Sequence, residues 1–324
     1  MPHPLEPLLG SWRISLRARN KSAETLKTYL AAGRQFLDFL NSPPADLDAD
    51  ARARLDAHPV TEPGQLRSLH VDAFIGWLVE HRAASTANNR YRGLQQWFSW
   101  MVAEPSIDLE VSPMVATSPP TVPEQPVPVV PLDDIRKLLD TCTGKTLVPL
   151  RDEAIIRLFC DTGMRRSEMA GLMMAAEIDG VRVPHLDLED QVAWILRKGR
   201  KMRSVPFGAK TTVALDRYLR VRGRDRRADL PWLWLAEKGR GAFTHWGIGQ
   251  MLDRRCDAAG IPHIHPHQLR HTWAHEWRAS GGSEGDLKRL GGWRSRQMLD
   301  RYGASAADAR AAESHKRFGL GDRL

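Results

Sequence analysis

At 324 residues the chain exceeds the usual size of one compact domain, and 42% hydrophobic residues with 11 tryptophans exclude wholesale disorder. No apolar run approaches the roughly 20 residues of a membrane span, and no secretory signal is recognisable. The three cysteines are scattered and lack metal-ligand spacing. We therefore expect a reduced, cytoplasmic protein. Residues 129–324 carry 35 basic and 25 acidic side chains, whereas residues 1–128 carry 12 basic and 14 acidic ones. This basic excess favours a polyanionic partner for the second half. The alternative is a basic protein that does not bind nucleic acid, which is also common.

The first half has helical periodicity. Ser22 opens the run LKTYLAAGRQFLDFL, and the runs VDAFIGWLVEHRA and STANNRYRGLQQWFSWMVAE repeat the same spacing of apolar residues. Arg90 and Arg92 lie near the start of the third run. They are candidate contacts to a DNA backbone, and the alternative is an ordinary solvated helix face.

A proline-rich stretch, SPMVATSPPTVPEQPVPVVP, separates the two halves. Proline fixes φ and lacks an amide donor, so this density excludes a helix or a sheet interior. The pattern predicts a helical domain at 1–111, an extended linker at 112–131 and a second domain at 132–324.

The second half is predicted to be mainly helical with one small sheet. PLDDIRKLLDTC begins a helix that Asp133 or a neighbour can cap, and LVPLRDEAIIRLFCDTGM is a further helix. VAWILRKGRKMRSVPF is typical of two strands around a basic turn. More helices are expected at TVALDRYLRVR, HWGIGQMLDRRCDAAG and HQLRHTWAHEWRAS.

The segment TGMRRSE combines Arg165 and Glu168 at a spacing of three residues, after a turn at Gly163. On one face of the following helix, the carboxylate would hold the guanidinium as a fixed fork for two phosphate oxygens. The alternative is a surface ion pair.

The basic turn RKGRKMR places five cations in seven residues. Such a hairpin can enter a DNA groove, and Lys198 can donate a proton there because desolvation lowers the pKa of a lysine. A solvated turn is the alternative. The other cations are candidate DNA contacts: Arg197, Arg200, Lys201 and Arg203.

The segment HIHPHQLRHTWAH is rich in histidine. His267 and Arg270 can point together at a phosphate, the imidazole as donor or proton carrier and the guanidinium as clamp. The alternatives are core packing, or a metal site at His267, His271 and His275, which the absence of nearby cysteine and of an HExxH arrangement disfavours.

Trp293, in LGGW, and Tyr302, in LDRYG, complete the set. They are nine residues apart, so a bend is required if both are to reach one site. Taken singly, each is more readily explained by core packing, although an indole N–H can donate to a phosphate oxygen.

In this order, Arg165, Lys198, His267-x-x-Arg270, Trp293 and Tyr302 resemble the signature of the tyrosine recombinases, also called the phage integrase family. The resemblance covers about residues 129–315 and extends more weakly to the first half, which is similar to the family's core-binding domain. Gln268 stands where aspartate is common, and Trp293 where many members carry histidine.

The resemblance implies a mainly α fold with a small antiparallel β-sheet, in which a helical core-binding domain precedes a catalytic domain. It implies site-specific recombination of double-stranded DNA through a 3′-phosphotyrosyl bond to Tyr302, by a tetramer, without metal, ATP or another cofactor. Glu168 would orient Arg165. The alternatives are a type IB topoisomerase-like enzyme and a non-catalytic DNA-binding regulator, and residues 305–324 could pack in cis or on a neighbouring subunit.

Overall fold

The structure, a computed structural model, describes residues 2–123, 128–178, 181–196, 202–237 and 241–293, and positions 312, 315, 316 and 321. The chain forms two compact units, Met1–Glu124 and Gln125–Leu324. The described residues are mainly helical with a small antiparallel sheet, which confirms the predicted fold class. None of the helices described here has the length and apolar character that crossing a bilayer requires.

The first unit is helical where it is described. Ser22 is the N-cap of its second helix and accepts a hydrogen bond from the Thr25 amide at 3.2 Å, as its sequence predicted. The first and third helices were not predicted. In chain order the helices are α1 (Glu6–Ala18), α2 (Ala23–Asn41), α3 (Ala49–Ala57), a 3₁₀ turn (Pro63–Gln65), α4 (Ser68–His81) and α5 (Ala84–Ala103).

Aromatic side chains fill the core of the first unit. The Phe36 ring meets the edges of Phe74 and Phe98 at centroid distances of 5.5 and 5.7 Å. Helices α2 and α5 approach closely at Gly93, where a Cβ would lie 2.5 Å from that of Ala32. Met114 packs in the same core, so the beginning of the proline-rich stretch is folded against this unit. The boundaries 1–111, 112–131 and 132–324 stay a prediction.

The second unit surrounds α7, which contacts α9, α11 and β5. Three strands pair antiparallel in the order β3-β4-β5, and β1 pairs with β2 separately. Its elements are α6 (Leu132–Asp140), α7 (Leu147–Thr162), α8 (Arg166–Ala170), β1 (Ala176–Ile178), β2 (Val181–Val183), β3 (Leu186–Asp187), β4 (Val192–Leu196), β5 (Met202–Pro206), α9 (Ala209–Arg222), α10 (His245–Ala259), α11 (Pro266–Ala279) and α12 (Glu284–Gly291).

The predicted capping role of Asp133 is wrong. Pro131 is the N-cap of α6, and the Asp133 carboxylate instead forms an ion pair with Arg136 one turn later. The Pro131 carbonyl accepts hydrogen bonds from two amides of α6. Asp133 lies inside the first turn, two residues after the N-cap, where a carboxylate interacts favourably with the helix dipole.

One buried arginine organises the loop between α9 and the next helix. The Arg222 guanidinium donates to the carbonyls of Leu233 at 3.0 Å, Ala228 at 3.1 Å, and Leu230 and Trp232 at 2.7 Å each. The loop backbone therefore has its hydrogen-bond acceptors satisfied without regular secondary structure.

Candidate functional site

The first candidate arginine follows a sharp turn at the end of α7. Gly163 ends that helix in the left-handed conformation, with φ of 55°. Arg165 is then the N-cap of α8, whereas the sequence had suggested that it lies within that helix. Its backbone N–H donates to Glu168 Oε2, and its Nη1 donates to Glu168 Oε1, both at 2.9 Å. One carboxylate therefore holds both the backbone and the guanidinium of Arg165.

Glu168 also binds a second arginine. Arg203 Nη2 donates to Glu168 Oε2 at 3.1 Å, and the Arg203 side chain is only 7% exposed. The sequence suggested Arg203 as a candidate DNA contact and gave no sign of its contact with Glu168. The signal that could have found it is the alternation along β5, because Val205 is buried and Arg203, two residues earlier, faces the same way.

The histidine and arginine of the HQLRH segment lie in the first turns of α11. Pro266 begins this helix, and Gln268 reaches back to accept a hydrogen bond from the His265 amide at 2.8 Å. Gln268, which stands where aspartate is common in the family, thus caps the helix. His267 keeps an exposed side chain, whereas Arg270 is buried.

Arg270 connects the two segments of the site on either side of it. Its guanidinium donates to the carbonyl of Gly163, in the turn before Arg165, and to that of Gly291 at 2.6 Å. Its Cζ lies 4.4 Å from the centre of the Trp293 ring, within the range of a cation–π contact. The residue is 1% exposed, and its contacts hold the guanidinium between the turn before Arg165 and the end of α12.

Trp293 follows α12, whose C-cap Gly292 has a positive φ of 65°. The indole is 4% exposed and packs against Trp273, at a centroid distance of 6.0 Å, in a small cluster with Leu287. Core packing and contact with Arg270 therefore account for this placement, and donation to a phosphate stays a prediction.

The electrostatic environment holds two α11 histidines neutral near pH 7. Partial desolvation by the surrounding protein lowers the pKa of His267, and the positive charges of Arg270, Arg165 and Arg166 lower it further. Burial also lowers the pKa of His271 to about 4, with smaller contributions from His267 and Arg270. A neutral imidazole at position 267 can accept a proton, which a cation there could not do.

The histidine-rich segment is divided among several roles. His263 Nε2 donates a hydrogen bond to Asp257 Oδ1 at 2.8 Å, and this bond raises the pKa of His263. His271 is buried behind His267 on the same helix. Within the described ranges, no three His, Cys, Asp or Glu side chains come together as a group that could hold a metal ion.

The two candidate arginines of the first unit lie on α5. Arg90 Nε donates to Gln35 on α2 at 2.6 Å, and Arg92 Nε donates to Asn88 at 3.1 Å. Arg92 is exposed and Arg90 is half-buried. Their contact with DNA stays a prediction.

Four of the six predicted catalytic residues are described, and they come together: Arg165, His267, Arg270 and Trp293. Lys198 and Tyr302 lie outside the described residues. The same holds for three of the predicted DNA contacts, namely Arg197, Arg200 and Lys201.

Two family profiles match the chain. The profile of the phage integrase family matches residues 128–308, and that of the phage integrase N-terminal SAM-like domain matches residues 8–108. Tyrosine recombinase XerC of Salmonella typhi is 30% identical over 211 residues, which cover 62% of this chain and 63% of that protein. XerC of Escherichia coli (strain K12 / DH10B) matches equally, with 64% of its length covered. The match thus spans less than two thirds of these relatives.

Solved structures share the fold. The XerH site-specific recombinase bound to palindromic difH substrate has a TM-score of 0.67 at 18% identity, with 91% of this chain and 81% of that chain covered. The Tn1549 transposon integrase in complex with transposon right end DNA has a TM-score of 0.68 at 17% identity, with coverages of 96% and 99%. Because the family profile extends over more than half of the sequence, the chain belongs to the phage integrase family, the tyrosine recombinases.

Proposed function

We propose that this protein is a site-specific recombinase that cuts and rejoins double-stranded DNA through a covalent bond between Tyr302 and a backbone phosphate. The observation that carries the proposal is the convergence of Arg165, His267 and Arg270 in the second unit. Two guanidinium groups and a neutral imidazole at one place provide the charge and the proton acceptor that phosphoryl transfer requires.

The arginines would act on the transition state. A phosphodiester carries one negative charge in the ground state and two in the pentacoordinate transition state, so cations that bind the second state better lower the barrier. Arg165 is 34% exposed and held by Glu168, which supports direct contact with the phosphate. Arg270 is proposed as the second cation at the phosphate, held in place by its bonds to the carbonyls of Gly163 and Gly291.

The covalent step is a transesterification. The Tyr302 hydroxyl attacks phosphorus and loses its proton, with His267 as the acceptor, because a phenol with its usual pKa of about 10 is otherwise protonated near neutral pH. The bond from phosphorus to the 5′ oxygen breaks, and Lys198 gives that oxygen a proton. The products are a 3′-phosphotyrosyl bond and a free 5′-hydroxyl.

The phosphotyrosyl bond retains the energy of the broken phosphodiester. A 5′-hydroxyl from a partner duplex can therefore attack it, reseal the strand and release Tyr302 without ATP. The guanidinium groups supply the electrostatic stabilisation that a divalent ion supplies elsewhere. We therefore propose a reaction that needs neither nucleotide nor metal.

The proposed partners are double-stranded DNA and further copies of the chain, assembled as a tetramer on two duplexes. Phosphate contacts are proposed for both units: Arg90, Arg92, Arg197, Arg200 and Lys201. The Trp293 indole is proposed as a further donor close to the phosphate.

The decisive experiment traps the covalent intermediate. A library of duplexes with randomised cores carries a nick a few nucleotides from each candidate phosphate, so the fragment that bears the 5′-hydroxyl diffuses away after cleavage. We expect wild-type protein to form a DNA adduct that survives denaturation and phenol extraction, and we expect Tyr302→Phe to form none. Sequencing the trapped duplexes gives the target site.

Adding a partner duplex with a free 5′-hydroxyl then separates the related activities. A recombinase joins the two duplexes, whereas a topoisomerase-like enzyme forms the adduct but yields only relaxed circles from supercoiled DNA. A protein that binds duplexes of the library but forms an adduct with none of them is a DNA-binding regulator, and this outcome would refute the proposal.

A further inference from the structure

Arg203 lies in an unusual position for a cation of a DNA-binding hairpin. It is the last cation of the segment RKGRKMR and the second residue of β5, yet its side chain is 7% exposed and lies on the same buried face of the strand as Val205. A buried guanidinium needs a partner, because desolvation of an unpaired charge is costly. Here the partner is Glu168.

The Glu168 carboxylate is shared between two arginines of different exposure. Oε1 accepts from Arg165 Nη1 at 2.9 Å, and Oε2 accepts from the Arg165 amide at 2.9 Å and from Arg203 Nη2 at 3.1 Å. Side-chain exposure falls from 34% at Arg165 to 13% at Glu168 and 7% at Arg203. The contacts therefore lead from the partly exposed Arg165 through Glu168 to the buried Arg203.

This order of burial has a mechanical consequence. An ion pair that is partly exposed contributes little by itself and can change rotamer readily. Because Arg203 is packed in place, it restricts the rotamers of Glu168, and Glu168 in turn restricts the guanidinium of Arg165. A restricted donor loses less entropy when the phosphate arrives, so its contribution to the transition state is larger.

Arg203 also touches the segment that leads to Trp293. A Cβ added at Gly292 would lie 3.2 Å from Arg203 Nε, so the guanidinium packs against the backbone at the C-cap of α12. Three pieces of the site meet at this one side chain: β5, the beginning of α8 and the end of α12.

We propose that Arg203 is a positioning residue that fixes Arg165 through Glu168 and makes no contact with DNA. This inference rests on the function proposed above. It replaces the DNA contact that the sequence suggested for this arginine and assigns β5 a part in the geometry of the phosphate site.

The first test compares cleavage with binding on the trapped target duplex. We expect Arg203→Gln to reduce the single-turnover rate of adduct formation by about 10- to 100-fold, the usual effect of losing a group that orients a ligand-binding side chain. The dissociation constant for DNA and its salt dependence should stay at wild-type values. If Arg203 instead contacted a phosphate, the slope of log K against log[salt] would fall by roughly 0.9 and binding would weaken.

Two further variants keep this test informative. Arg203→Lys retains the charge but not the planar fork, so its rate should lie between those of wild type and Arg203→Gln. Arg220→Gln removes an exposed arginine of α9 that pairs with Asp216, and it should react at the wild-type rate. Thermal unfolding of each variant distinguishes loss of positioning from loss of the fold.

A double-mutant cycle tests whether Arg203 acts through Glu168. If it does, Arg203→Gln should slow the reaction far less in a Glu168→Gln background than in wild type, because the carboxylate it holds is already gone. Rate losses that simply multiply in the double variant would overturn the proposed route.

The third test does not depend on cleavage. In DNA-free protein with ¹⁵N-labelled arginine, the Nε–H signal of Arg165, assigned by its loss in Arg165→Lys, should shift in Arg203→Gln and stay in place in Arg220→Gln. An unmoved signal would overturn the inference even if the enzyme cleaves DNA. Conversely, a wild-type protein that forms no adduct refutes the proposed function. The Arg165 Nε–H signal would then still show whether Arg203 positions Arg165.

Discussion

The buried histidine of α11 links the site to the pH dependence of stability. His271 lies behind His267, and its pKa is lowered to about 4 from an unfolded value near 6.5. A depressed pKa means that the unfolded state binds the proton first as the pH falls. The stabilising contribution of the neutral form is therefore complete above pH 6.5 and is lost progressively toward pH 4.

We predict that this histidine accounts for about 2 kcal/mol of the free energy of unfolding that the protein loses between pH 7 and pH 5. Urea unfolding at both pH values should show a loss smaller by this amount in His271→Gln. His263→Gln provides a comparison of opposite sign, because Asp257 raises the pKa of His263 and stabilises its charged form at low pH. An equal pH dependence in wild type and His271→Gln would contradict the assignment.

The exposed arginine of α5 offers a test of DNA contact by the first unit. If Arg92 contacts a phosphate, Arg92→Gln should reduce the slope of log K against log[salt] by roughly 0.9 and weaken binding to all sequences alike. Arg54→Gln is the control, because that arginine lines a surface pocket with Asp48 and Asp72 on the acidic side of α3 and α4. Equal slopes for wild type and Arg92→Gln would refute the contact.

Single residues differ in how far their roles could be predicted. The contact between Arg165 and Glu168 could be predicted because the two residues are three apart and carry opposite charges. The functional roles of Arg165, His267 and Arg270 stay predictions. The depth at which Arg270 lies was not predictable, because its two carbonyl partners come from segments more than 20 and 100 residues away. Tertiary contacts of this kind leave no periodic signal along the chain.

At the level of elements, the turn between α7 and α8 determines where Arg165 can be. Gly163 adopts a left-handed φ of 55°, and a Cβ there would overlap the Trp273 ring at 2.1 Å. Only glycine avoids both the backbone strain and the overlap. The turn therefore joins the end of α7, the start of α8 and the face of α11 without space for a side chain.

We predict that Gly163→Ala lowers the free energy of unfolding by about 2–5 kcal/mol, from about 1–2 kcal/mol of left-handed strain and about 1–3 kcal/mol of overpacking. Gly260→Ala is a matched control, since Gly260 ends α10 at a φ of 64° with no atom within 4 Å of the added Cβ. Gly260→Ala should therefore lose only the part of the free energy of unfolding that comes from left-handed strain. Chemical denaturation of the two variants measures the difference. Equal losses in the free energy of unfolding would show that the Trp273 ring moves aside for the added methyl group.

Several elements with strong local signals were predicted, although α1, which buries Leu9, Trp12 and Leu16 on one face, was missed. Helix α2 has a serine cap and regular apolar spacing, and α7 has a glycine at its end. Helix α3 buries only Leu55, so no periodic pattern marks it. Strand β3 has two residues and is defined by its pairing with β4, which no local pattern contains.

For the whole molecule, the proposed chemistry predicts independence from metal and nucleotide. Adduct formation on the trapped duplex should proceed at the same rate in excess EDTA, without ATP, as in buffer with magnesium. High salt should slow it through weaker binding, because the basic excess of residues 129–324 would then be screened. A rate that collapses in EDTA and recovers on metal addition would contradict the mechanism.

The loop that Arg222 holds together has a consequence for protease sensitivity. Arg224 and Arg226 are exposed within it and would be obvious sites for trypsin in a flexible segment. A protease must first unfold several residues around the bond that it cuts, and four carbonyls bound to one buried guanidinium oppose this opening. Limited digestion should therefore spare this stretch, whereas Arg222→Met should make it one of the earliest points of cleavage in the native protein.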